Sequence, residues 1–180
     1  MTRKTRIHFY GAIYHVILRG NNKQKIFFSN KERQRFIKIL NEGVEKFKFK
    51  IHSYCLMPNH IHLLIEISNI TLAKIMHNLA YRYSWWFNRY HIRVGHLFQG
   101  RYKAILIKDE EYLLQVCKYI HLNPVKAKLE TTSTPHLLSS HHAFLEKENL
   151  DWLTTNYIID ILNRQFDKKI STSPKEKPNA

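Results

Sequence analysis

Between Met57 and Ile67 the chain alternates with a period of two: Ile61, Leu63, Ile65 and Ile67 fall on one face, and His60, His62, Leu64 and Glu66 on the other. This is a strand with one core face, and its second face opens on two imidazoles side by side. Pro58-Asn59 makes a tight turn leading into it, so both histidines sit at the strand's start. Residues 49–57 read as the antiparallel neighbour across that turn. Tyr14 to Arg19 reads as a first strand, broken by Gly20-Asn21-Asn22, and Arg101 to Lys108 as a fourth, with Ala104, Leu106 and Tyr102 on one face.

The intervening stretches have helical spacing. Ser29 or Asn30 caps a helix over about Lys31 to Lys46, with Phe36, Ile37, Leu40, Val44 and Phe47 at its apolar positions. Thr71 caps the next, Leu72 to Tyr90, whose stripe is Leu72, Ile75, Met76, Leu79 and Tyr83. A third starts at Asp109 or Glu110 and is expected to stop near Asn123-Pro124. The order β-α-β-β-α-β with a further helix predicts an α+β, ferredoxin-like fold, an antiparallel sheet with helices on one face. A catalytic domain over 1–132 is expected, then an extension over 133–167 with a short helix at about Tyr157 to Leu162, then a disordered Lys/Ser/Pro-rich tail over 168–180.

Composition narrows the class of partner. In 180 residues, 29 Lys+Arg face 14 Asp+Glu, a net charge of +15, which points to a polyanion and most often to nucleic acid. A hydrophobic content of 44% supports a packed core. No apolar run is long enough to span a membrane and no signal-peptide pattern follows the basic N-terminus. Cys55 and Cys117 lie in apolar segments and form no CxxC pair, as expected of reduced core thiols in a cytoplasmic protein.

On the third helix Leu113, Val116, Cys117 and Ile120 form the core stripe, and Tyr119 falls on its border, where a phenol is held and still reachable. Asn123 follows one turn on and can place an amide oxygen beside it. A tyrosine attacks a phosphodiester when a metal stabilises charge building on the phosphate. His60, His62 and the oxygen of Asn123 make a candidate site for Mg²⁺ or Mn²⁺ with positions left open for that phosphate. Glu66 shares the histidine face two side-chain places further along and ranks below Asn123 as third ligand.

His60-Ile61-His62 resembles the His-hydrophobic-His motif of the HUH single-tyrosine transposases, and Tyr119 with Asn123 resembles their nucleophile helix. Tyr14-His15-Val16 through Arg19-Gly20-Asn21-Asn22, Met57-Pro58-Asn59-His60, Leu97-Phe98-Gln99-Gly100-Arg101-Tyr102 and Tyr119 through Val125 are similar to the REP-associated tyrosine transposases in particular. The resemblance covers about residues 10–130. It implies cleavage and rejoining of single-stranded DNA beside imperfect hairpins, a 5′-phosphotyrosine with a free 3′-OH, and a divalent metal. It also implies either a homodimer or a monomer with a C-terminal extension over the site, a role open to residues 136–162.

Arg19, Asn21, Asn22, Lys23 and Lys25, with Arg101 and Lys103, are candidates for phosphate contacts, which position the DNA. A competing reading is a ferredoxin-like hairpin binder that does not cut. It leaves the paired histidines unexplained.

Overall fold

In a computed structural model, residues 8–129, 138–145 and 150–172 are described. Strands β1 (Ile13–Arg19), β2 (Lys50–Met57), β3 (His60–Glu66) and β4 (Lys103–Leu106) form one antiparallel sheet in the order β2-β3-β1-β4. This is the ferredoxin-like arrangement expected from the order of elements.

The odd positions of β3 are buried with Tyr14, Val16 and Leu18 of β1 beneath helices α1 (Asn30–Phe47) and α2 (Leu72–Tyr90). Ser29 starts α1 through a capping box: its side chain accepts from the helix, and Glu32 reaches back to its backbone. Thr71 starts α2 by accepting from the backbone N–H of Lys74.

Helices α1 and α2 share one face, as expected of the ferredoxin-like unit, and the further helix covers the other. Helix α3 (Glu110–Lys126) lies on the opposite face, its Leu113, Val116, Cys117 and Ile120 packed on Leu64, Cys55 and Met57. Because Leu64 of β3 and Cys55 and Met57 of β2 put apolar side chains on the histidine face, the sheet has two faces to bury. Burial pushes the Cys117 thiol up to about 12, so it stays a protonated core group. Helix α3 also runs through Pro124 instead of stopping before it. Proline fits helical φ, but it forfeits its own N–H bond and its ring crowds the Ile120 carbonyl, a disturbance confined here to the last turn.

The C-terminal segment closes the outer side of α3. Leu138 accepts from the backbone of Leu56 at 2.7 Å, Ser139 bridges to Cys55, and the short helix α4 (His141–Phe144) follows. Helix α5 (Asn156–Thr172) puts Ile158 and Ile161 into the α3 core, and its Arg164 pairs with Glu110 at 2.9 Å. It is longer than the short helix expected at Tyr157 to Leu162, and it carries 168–172 into helix, where a disordered tail was expected. The rest of that tail, 173–180, lies outside the described residues, as do 130–137 and 146–149 of the expected extension.

Candidate nuclease site

The site forms where β3 meets α3. His60 and His62 point to the α3 face, with ring centroids 4.9 Å apart. Tyr119 stands edge-on to His62 at 5.5 Å between centroids, and to His15 of β1 at 6.0 Å. The tyrosine keeps 43% of its surface exposed, whereas His62 keeps 2% and His15 5%. A reachable phenol thus sits over buried imidazoles, all within one chain.

Each candidate metal-binding histidine has its Nδ1 engaged. Asn59 donates from Nδ2 to the Lys23 carbonyl at 3.1 Å, which leaves Oδ1 as the acceptor for His60 Nδ1 at 2.6 Å. The proton on His60 therefore belongs on Nδ1, and Nε2 carries the lone pair. His62 Nδ1 lies 2.9 Å from His15 Nε2. The Nε2 of His62 is buried with no hydrogen-bond partner. A buried ring nitrogen without a partner is costly unless something outside the fold completes it.

Burial keeps these imidazoles uncharged. Desolvation lowers His62 to about 3, helped by His60, His15 and Arg19 nearby. Desolvation also lowers His60, with Arg19 adding to it, and lowers His15. Their nitrogens therefore offer lone pairs to a cation at neutral pH.

Asn123 lies one turn beyond Tyr119 and donates from Nδ2 to the Tyr119 carbonyl at 2.8 Å, so its Oδ1 is the end left to act as a ligand. Glu66 is committed elsewhere: Oε2 pairs with His52 at 2.8 Å and Oε1 with Lys50 at 2.9 Å. The His52 hydrogen bond holds its carboxyl below the usual range against the opposing effect of burial, with Lys50 assisting. Among the described residues no cluster of three or more His, Cys, Asp or Glu could hold a metal. The candidate donors to a divalent cation are the His60 and His62 imidazoles and the Asn123 amide oxygen, a sparse set that would leave positions for water or phosphate oxygens.

The basic candidates gather near the same end of the sheet. Arg19 is the register partner of His60, and Lys103 lies in the row of Ile17 and His62. Asn21 and the exposed Asn22 and Lys23 form a single 3₁₀ turn, with Lys25 exposed just beyond it. Backbone bonds from Asn21 to Leu97 and from Gln99 to Arg19 tie that turn to the segment leading into exposed Arg101. Three further groups went unnoticed as site residues in the sequence: His15, Asn59, and Lys126, whose Nζ lies 5.9 Å from the Tyr119 ring centre. The alternation of β1 puts His15 off the core face, the one signal that could have raised it.

Residues 8–123 match the family model described as "Transposase IS200 like". The chain belongs to the IS200-like transposase family. Among solved structures this transposase-family chain is similar to a REP-associated tyrosine transposase bound to a REP hairpin, with 14% identity, a TM-score of 0.67, and coverage of 86% of this chain and 98% of the other. That likeness shows a shared fold. A putative transposase from Deinococcus radiodurans is more distantly similar, with 16% identity, a TM-score of 0.48, and coverage of 66% of this chain and 95% of that one. Comparison with curated proteins gives no match. Among the described residues no helix is long and apolar enough to cross a membrane.

Proposed function

We propose that this family member is a metal-dependent endonuclease and strand transferase acting on single-stranded DNA beside REP-type hairpins, with Tyr119 as nucleophile and His60, His62 and Asn123 as metal ligands. The observation that carries this reading is the buried, partnerless Nε2 of His62, on a ring that stands edge-on to the exposed Tyr119. A nitrogen presented in that state is explained by a cation that completes it. A bound Mg²⁺ or Mn²⁺ supplies charge neutralisation at the scissile phosphate.

The chain's own residues do the rest. The rings of His15 and His62 hold Tyr119 edge-on, so the phenol is presented with little freedom to lose. Attack of the Tyr119 oxygen on phosphorus forms the tyrosyl ester and breaks the bond to the 3′-oxygen, which leaves as a hydroxyl after taking up a proton. The phenol's proton goes to solvent, which reaches it at this exposed position. Attack by a 3′-OH reverses the sequence and rejoins DNA without an external energy source. Arg19, Asn21, Asn22, Lys23, Lys25, Arg101 and Lys103 hold phosphates at the same end of the sheet. The solved relative of the same fold carries a REP hairpin, which supports that class of substrate. Tyr119 and both histidines meet within one chain, which supports a site that works in a monomer.

The test is cleavage of an end-labelled single-stranded hairpin with flanking tails, in Mn²⁺ and in EDTA. Cleavage in Mn²⁺ alone is expected. Binding without cleavage across varied flanks would favour the hairpin-binding module instead.

A further inference from the structure

His62 faces two demands at once. It must leave Nε2 without a partner inside the fold, on a ring that meets Tyr119, and it must keep that nitrogen unprotonated. Neither follows from its place on β3. A neutral imidazole carries its proton on either nitrogen, and the ring can turn about its bonds. Something has to choose, and for His60 the choice is made by Asn59. For His62 the polar atom beside Nδ1 is His15 Nε2, at 2.9 Å, and both rings are buried. The rings lie edge to edge and nearly coplanar, with centroids 5.2 Å apart and planes 24° from parallel, as an in-plane N–H···N bond requires.

We infer that His15 is a positioning residue: it accepts a hydrogen bond from Nδ1–H of His62 and so holds His62 as the tautomer whose buried, partnerless Nε2 is bare. The opposite polarity would give His62 an Nε2–H, a buried donor with no acceptor. Buried donors are orphaned more rarely than acceptors. The first polarity leaves only a lone pair there, which a cation can take. A metal-binding histidine usually donates its other ring N–H to a supporting acceptor, most often a carboxylate, a backbone carbonyl or water, and here a ring nitrogen takes that place. Here the support comes from a strand 47 residues earlier in the chain. His15 touches Tyr119 as well, so one side chain sets both the ligand and the nucleophile's ring. This inference rests on the metal reading proposed above for its purpose, but not for its geometry.

The experiment reads ring-nitrogen NMR shifts and couplings of His62 in metal-free, ¹⁵N-labelled protein, for wild type, His15→Gln and His15→Leu. Wild type is expected in the Nδ1–H form. His15→Gln, which keeps an acceptor oxygen, is expected to stay there, and His15→Leu to shift towards Nε2–H. Loss of the free Mn²⁺ signal in electron paramagnetic resonance gives affinity for the ion alone. His15→Leu is expected to weaken it about 10–100-fold, with His15→Gln within a few-fold of wild type. Wild-type His62 found in the Nε2–H form overturns the assignment, whether or not the variants fold. So does a His15→Leu variant with unchanged tautomer and unchanged Mn²⁺ uptake. Wild type in the Nδ1–H form with no Mn²⁺ uptake would defeat the metal reading while leaving the His15 assignment standing.

Discussion

Acid should loosen the helix that carries Tyr119, and His121 should be a measurable part of the reason. His121 lies on α3 two residues from Tyr119, pointing into the fold. Its Nε2 is 3.0 Å from the Ser53 hydroxyl of β2 and 2.9 Å from that of Ser140, so it joins α3 to the sheet and to the C-terminal segment. Burial lowers it to about 3 from an ordinary 6.5, with His141 contributing. A base depressed by folding binds its proton more readily in the unfolded chain, so its stability contribution is complete above pH 6.5 and lost as pH falls towards 3. Integrated from pH 8 to pH 5, the loss from this one group is about 2 kcal/mol, equivalent to roughly 4–8 °C in melting temperature for a chain of this size. His62, also lowered to about 3, adds a similar loss, so the wild-type slope alone does not isolate His121. The assay is thermal unfolding of wild type and His121→Gln at pH 8 and pH 5. Glutamine can keep a hydrogen bond to the serines and does not titrate. Whatever the variant costs at pH 8, its deficit should shrink by about 2 kcal/mol at pH 5. Equal losses in both proteins would refute the reasoning.

Other expectations concern the site directly. His62→Ala should reduce Mn²⁺-dependent cleavage by about 100-fold or more, measured on labelled hairpin, while hairpin binding in EDTA stays within a few-fold. Arg19→Ala and Lys103→Ala should each weaken hairpin binding regardless of sequence and reduce the slope of log affinity against log salt by about 0.7–0.9, read by fluorescence anisotropy across a salt series. Gly20→Ala should lower the melting temperature and hairpin affinity together. A Cβ there would collide with the Gln24 carbonyl oxygen and come within 2.9 Å of Ile26, displacing the turn that carries Asn21, Asn22 and Lys23. The expected cost is about 1–3 kcal/mol.

The parts of the fold that read clearly from sequence are those decided by local periodicity. The alternation of β3 identified both its core face and its histidine face, and the stripe and cap of α2 located it from Leu72 to Tyr90. Elements decided by distant packing were less legible. Fourth-strand character was expected from Arg101, but pairing with β1 begins only at Lys103, because the stretch before it is drawn to Arg19, Gly20 and Asn21. Helix α5 outran its expected length because Ile158 and Ile161 dock on α3, a contact no local pattern announces. The placement of α3 on the other face could have been inferred from β2, whose positions are buried from Ile51 to Met57 on both faces. In the site, residue types and spacing pointed to His60, His62, Tyr119 and Asn123. The partners His15 and Asn59 were not legible: one depends on the register of β1 against β3, the other on a loop carbonyl that fixes which way an amide faces.

The central claim, that Tyr119 joins itself to DNA, is tested most directly by a denaturing gel of protein mixed with labelled single-stranded hairpin, in Mn²⁺ or EDTA, beside Tyr119→Phe. The phenylalanine keeps the ring that packs on His15 and His62, so the fold and hairpin binding should persist. The account predicts a labelled protein–DNA band for wild type in Mn²⁺ only, absent from the variant, with the nucleotide mapped to Tyr119 by mass spectrometry. An adduct that survives in Tyr119→Phe would contradict it and turn attention to Tyr112.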